Sequence, residues 1–168
     1  MLYKIFNGPA PTTASQVAVT TGTAIKTLLQ VKPGATQILK VREWGISFDG
    51  FAAAQPGICE LCVTDVAATV TAHVAGGIHK YDSEALAAGD PTTNIVAVGT
   101  TSTGYTASGE GTVGTVRQGD AQHIAPTIQL IYQFPLGVAW IVQPGEFMRI
   151  RVKFGSAISA ICYVLVEA

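Results

Sequence analysis

Cys59-Glu60-Leu61-Cys62 is the one pattern in the chain that imitates a metal site. Ten residues separate Cys62 from His73, and five more separate His73 from His79. That is near the spacing of a Cys2His2 zinc finger, but the middle gap is short. Cys59 and Cys62 also sit inside an apolar run, Ile58 to Val63, that reads as a β-strand. Residues three apart on a strand face opposite sides, so the two thiols cannot share one ion without a bulge. A finger needs a small core of its own, and the segment between the cysteines and His73 offers little beyond Ala, Thr and Val. Buried cysteines acting as small hydrophobes are the simpler reading.

Other chemistry is weaker still. No Gly-x-Ser-x-Gly elbow is present to place a nucleophilic serine. Gly104-Tyr-Thr-Ala-Ser-Gly-Glu-Gly111 is glycine-rich, but it lacks the phosphate-binding Lys and does not open a helix. Asp82-Ser83-Glu84 with Asp90 offers calcium ligands at a spacing that matches no calcium loop, and a solvated acidic loop explains it as well. Trp44, Trp140 and several tyrosines could make a sugar-binding platform. The competing reading is that they are core or interface anchors. The residues therefore give no catalytic group, no cofactor and no metal.

The elements that would position these groups are strands. Phe147 to Phe154 alternates, with Met148, Ile150, Val152 and Phe154 on one face and Arg149, Arg151 and Lys153 on the other. Period-two alternation specifies a half-buried antiparallel strand. The three cations read as a solvated face, or else as a contact for an acidic partner. Gln129 to Phe134 is a β-rich run, and Ile158 to Val166 is a nearly continuous apolar one, as expected of a strand buried on both sides. Gln143-Pro144-Gly145-Glu146 supplies a turn. Further strands are predicted over Gln16–Thr20, Ile25–Val31, Ile38–Phe48 and Ile95–Val98. Val66–Ala72 fits a short helix or a strand. Tyr81–Thr93 reads as loop, and Gly99–Gly114 as irregular or an edge hairpin. Val113–Val116 and Gln122–Ile124 are candidates to continue the sheet. About nine short strands with regular turn signals predict an all-β fold: an antiparallel β-sandwich, most simply a jelly roll. Residues 1–15 contain two prolines in Gly8-Pro9-Ala10-Pro11 and read as an extended N-terminal arm, leaving 16–168 as the single sandwich domain.

The chain has 168 residues, 48% hydrophobic but only 12% charged, against roughly 25% in ordinary soluble domains. A chain of 17.5 kDa carries 10 Lys and Arg and 11 Asp and Glu. On an expected surface of about 7,900 Å², that is roughly one charge per 375 Å². So bland a surface favours self-assembly or docking on something larger. The alternative is a neutral surface coated by Thr, Ser and Gly. A net charge of −1 supplies no field towards nucleic acid or anionic lipid. No apolar run approaches the roughly 20 residues of a membrane helix, and Asn7-Gly8-Pro9 interrupts any signal-like segment at once. Three cysteines, an odd number, argue for folding in a reducing cytosol rather than a disulfide framework.

Several segments together resemble a known family. They are Gly22-Thr-Ala-Ile-Lys-Thr-Leu-Leu-Gln30, Glu43-Trp-Gly-Ile-Ser-Phe-Asp-Gly50, Val66-Ala-Ala-Thr-Val-Thr-Ala-His73, Phe134-Pro-Leu-Gly137, Met148-Arg-Ile-Arg-Val152 and Ala160-Ile-Cys-Tyr-Val164. The chain resembles the small structural proteins of tailed-phage and prophage virions, of the capsid decoration (cement) type. That resemblance implies a trimer on the outside of the head, made in the host cytoplasm, with the major capsid protein as partner. The alternative is a tail or host-adhesion module that binds a surface glycan. The candidate interface residues are Leu2, Tyr3, Ile5 and Phe6 of the arm, Trp140, and the cations Arg149, Arg151 and Lys153. The arm's four apolar groups are expected to pack on a neighbouring subunit or the shell, so that removing residues 1–10 leaves a folded sandwich. Opposed faces for Cys59 and Cys62 carry a separate expectation. Elemental analysis of protein purified without chelator should find substoichiometric zinc; one tightly held zinc per chain, with unfolding on its removal, would contradict the strand reading.

Overall fold

Period-two alternation builds almost everything. The computed structural model describes residues 1–51, 55–81 and 92–168. Among the described residues fourteen strands run in chain order: β1 Leu2–Phe6, β2 Val19–Thr20, β3 Lys26–Pro33, β4 Leu39–Phe48, β5 Gly57–Thr64, β6 Thr69–Ala72, β7 Ile78–Lys80, β8 Val96–Ala97, β9 Gly104–Gly109, β10 Val116–Ile124, β11 Gln129–Gln133, β12 Trp140–Val142, β13 Phe147–Lys153 and β14 Ser159–Glu167. A four-residue helix, Thr92–Ile95, precedes β8. The strands form two antiparallel sheets packed face to face as a β-sandwich. The first has the order β11-β4-β14-β1-β7, with β12 beside β4 and β2 beside β14. The second has the order β10-β5-β13-β3-β9-β6, with β8 beside β3.

Eight strands make the framework: β1, β3, β4, β5, β10, β11, β13 and β14. Numbered one to eight in chain order, they lie as 1-8-3-6 in the first sheet and 2-7-4-5 in the second. The core between them includes Tyr3, Ile5, Leu29, Val31, Trp44, Leu61, Met148, Ile150 and Val164, each at most 1% exposed. The total surface of 8047 Å² is close to that expected of a chain this size.

Bulges correct the phase where simple alternation fails. In β4, Leu39 and Val41 are out of step with Trp44 and Ile46, yet all four face the core. The register with β14 runs Leu165 to Glu43 and then Val166 to Val41, so Arg42 is the extra residue. One inserted residue flips the faces on either side of it. Leu28 does the same in β3: both Leu28 and Leu29 are buried, and pairing with β13 steps from Ile150–Leu29 to Arg151–Thr27.

The N-terminal segment is not an arm. Residues 2–6 form β1, hydrogen-bonded to β14 on one side and β7 on the other. Tyr3 and Ile5 point into the core at 1% and 0% exposure. Asn7 extends the pairing: its side-chain amide donates to the Ala160 carbonyl at 2.9 Å, and its Oδ1 accepts from the Cys162 amide at 2.9 Å. The proline-rich stretch after it is an excursion along the sheet, because β2 returns to the same strand, β14, at Ser159 and Ala160. Apolar side chains on both faces of β1 hid its alternation. The consequence reverses the expectation for truncation. Ile5→Ala should cost about 2–5 kcal/mol by loss of buried methylenes and cavity formation. Deleting residues 1–10 should abolish cooperative unfolding, as followed by circular dichroism in urea. A truncated protein with an unchanged midpoint would restore the arm.

Candidate interaction surface

The residues singled out for chemistry do not converge. Cys59, on β5, faces the core, whereas Cys62 is buried on the opposite face beside Arg149 of β13. Burial pushes both thiols up to about 12, in Cys62 against the opposing pull of Arg151 and Arg149. His73 lies elsewhere. Its Nε2 sits 2.8 Å from the Phe6 carbonyl oxygen, at the end of β1, and its ring meets Tyr105 edge-on at 4.9 Å. The acidic stretch Asp82, Ser83, Glu84 and Asp90 lies outside the described residues. Trp44 is wholly buried, its Nε1 donating to Asp120 Oδ2 at 3.1 Å. Trp140 is half-buried, with Gly119 against it, the Arg117 guanidinium 5.0 Å from its ring centre and Phe134 parallel to it at 6.1 Å. A Cβ at position 119 would come within 2.8 Å of the indole, so only glycine admits that packing. Neither tryptophan offers an open face to a sugar.

The cation row is corrected in the same way. Arg149, Arg151 and Lys153 do share the face of β13 turned away from the core, but Arg149 is 0% exposed. Its Nη1 donates to the Glu110 carboxylate at 3.3 Å and the Glu110 carbonyl at 3.1 Å, and Nη2 donates to the Val66 carbonyl. Glu110 also accepts from the amide and hydroxyl of Thr27, each at 2.6 Å. Beside it, Gln30 is equally buried, bonded to Ala68 and Ser102. These polar groups are buried because segments around Val66–Ala68 and Glu110 cover the outer face of the second sheet there. Arg151 is half-buried against Glu60 at 2.5 Å. Only Lys153 stands exposed. In β1, Leu2 and Phe6 lie half-buried on the outer face of the first sheet. Phe6 joins Tyr163 and His79, with Lys4 Nζ 4.0 Å from the Tyr163 ring centre.

Six of the large apolar side chains exposed among the described residues lie on a side that no sequence pattern marked. The edge strands of the two sheets, β10 and β11, with β12 continuing β11 along β4, form one side of the sandwich. This side carries Val116, Ile128, Ile131, Leu136, Val138 and Ile141, each between 39% and 102% exposed. Leu136 is the extreme. It occupies a tight turn, Pro135-Leu136-Gly137-Val138, closed by the Val138 amide on the Pro135 carbonyl at 3.0 Å. Gly137 has φ +82°, the left-handed value that position three of a type II turn requires. The turn walls an open depression of about 730 Å³ whose lining includes Arg42, Glu43, Gln133 and Leu165. Glu43 accepts from Gln133 at 2.6 Å and from the Tyr163 hydroxyl, while Lys40 and Arg42, which line the same depression, pair with Glu167 instead. Burial, and then Glu43, raises the Tyr163 hydroxyl well above its ordinary value. On the outer face of the second sheet, Ile25, Ile58, Glu60, Arg151 and Lys153 line a smaller pocket of about 110 Å³, which reaches β13 at Val152, whose side chain belongs to the core. The only sequence signal for the knob was Pro-Leu-Gly, a turn motif, which says nothing about exposure.

No known protein family, curated protein or solved structure matches this chain. Among the described residues no helix is long and apolar enough to cross a membrane.

His73 generates a pH dependence. Burial lowers its pKa below the ordinary 6.5, helped by His79 and opposed by the bond to Phe6. The unfolded chain therefore takes up the proton first as pH falls through about 6.5, so this residue's contribution is complete above that pH and declines below it. The urea midpoint should fall between pH 7.5 and 5.5, and it should fall less in His73→Gln. Equal slopes in the two proteins would remove His73 from the account.

Proposed function

We propose that the protein is a structural component of a tailed-phage or prophage virion: a capsid decoration protein that trimerises on the outside of the head and secures neighbouring capsomers of the major capsid protein. The observation that carries this reading is the set of exposed apolar side chains on the β10–β11–β12 side, six of the fourteen large ones exposed among the described residues, on a chain with half the usual charge density. Isolated apolar residues on a surface are ordinary, but several on one side of a weakly charged domain make that side the first candidate for docking. The 1-8-3-6 and 2-7-4-5 strand orders support the finer fold reading, since they follow the double Greek key of a jelly roll, an architecture found in capsid and lectin domains alike. Fold alone does not separate those two uses. A glycan platform needs an open aromatic face, which Trp44 does not offer and Trp140 shares with Gly119 and Arg117; the exposed aromatics among the described residues are Phe51 and Tyr81.

Two measurements test the proposal. Light scattering at micromolar concentration should give three times the chain mass, with roughly 800 Å² or more buried per partner. Immunolabelled virions should carry the protein in many copies over the head. A few copies confined to the tail tip would instead establish the adhesion module, and a stable monomer would exclude the trimer.

A further inference from the structure

We infer that copies of this chain associate head to tail, the Leu136 turn of one inserting into the pocket between Ile25 and Ile58 of the next. The inference rests on the self-association proposed above and names the surfaces that would make it. Three observations carry it.

The first is shape. Leu136 is 102% exposed, at the apex of a turn closed by the Val138 amide on the Pro135 carbonyl at 3.0 Å. An apolar side chain already presented by a hydrogen-bonded turn needs less ordering on binding. The second is the fit of the receptor. The pocket, about 110 Å³, is small enough for one aliphatic side chain, and its mouth is flanked by the exposed side chains of Ile25 and Ile58, at 48% and 40%. The third is charge. Beside the knob, Glu43 has no cation partner among the described residues. Beside the pocket, Lys153 has no carboxylate partner among them. Of the other charges there, Arg42 pairs with Glu167 and Arg151 with Glu60, while Lys26, beside Ile25, bonds the Thr20 carbonyl. Joining knob to pocket brings a carboxylate that has no ion pair among the described residues towards ammonium groups that have none.

The geometry also fixes the kind of interface. The knob belongs to the edge of the first sheet, and the pocket to the outer face of the second. A knob and a pocket on different sides of a copy cannot both be exchanged across one two-fold interface, so the contact is heterologous. Such contacts close into rings when the rotation permits and otherwise run on as open chains. A closed ring of three satisfies every knob and every pocket, and leaves no apolar end in water.

Complementation between two variants tests this. Leu136→Asp destroys the knob and Ile25→Asp the pocket. Both positions are exposed, so each variant should keep the wild-type circular dichroism spectrum and unfold cooperatively, its midpoint lower only by what association adds to the wild type. Each variant should self-associate roughly 10- to 100-fold more weakly than wild type, the loss expected for one buried aliphatic side chain. An equimolar mixture should recover a species of two chains, because the intact knob of Ile25→Asp still finds the intact pocket of Leu136→Asp. It should stop at two, since the ring cannot close. A wild-type oligomer that survives Leu136→Asp unchanged overturns this contact and leaves self-association standing. A mixture that stays monomeric shows that the two sites do not meet. A monomeric wild type overturns both the contact and the oligomer on which it rests.

Discussion

The first sheet is organised around β14, which lies between β4 and β1 and also holds β2. Every strand that touches it comes from the first third of the chain. The core positions Ala160, Cys162, Val164 and Val166 are each at most 1% exposed, so β14 supplies one row of the interior as well as the hydrogen bonds. Successive framework strands mostly alternate between sheets, as β3, β4 and β5 do, so hydrogen-bonded neighbours are remote in sequence. A fold of this kind must close long loops before pairing rewards it, which makes such domains slow to form. It also explains why β1 cannot be dispensable: it covers the flank of β14 that would otherwise be a bare edge.

How much of this was legible follows from what covers each face. β13 and β14 could be read directly, because their core faces alternate without interruption. β4 and β3 were legible as strands, but their facing was not, since the bulges at Arg42 and Leu28 leave no mark in composition. β1 was missed because Leu2 and Phe6 pack on the outer face while Tyr3 and Ile5 fill the inner one, so the period-two contrast is lost. β9 was hidden by Gly, Thr and Ser, and Thr106, with φ 53°, interrupts its regularity. Arg149 illustrates the limit most clearly. Its place on the outward face was right. Its burial depends on Val66 and Glu110, brought over the sheet by tertiary structure that no local pattern encodes.

The interface candidates divide along the same line. Amphipathic position was readable for Lys153, whose neighbours on β13 leave it in water. It was misleading for Tyr3 and Ile5, whose size suggested an anchor and whose register makes them core. Leu136 was invisible, because a turn motif predicts backbone shape and not whether other elements will fold over its apex.

The scarcity of charge takes on a different meaning once the partners are known. Four acidic residues, Glu60, Glu110, Glu146 and Glu167, are committed to ion pairs with arginines, and Asp120 to the indole of Trp44. Two of these bonds close the side of the sandwich: Trp44 reaches from the first sheet to Asp120 on the second, while Arg117 bridges β10 to the Ile141 carbonyl and Glu146. The Arg149–Glu110–Thr27 cluster pins the segment after β9 onto β3 and β13. Buried charges that lose a partner are costly, so these groups fix which segments must lie where. With so much of its charge spent on internal order, the chain has little left to keep copies apart. A surface that neither repels itself nor attracts polyelectrolytes selects partners by shape, and a few unmatched charges are then enough to set orientation.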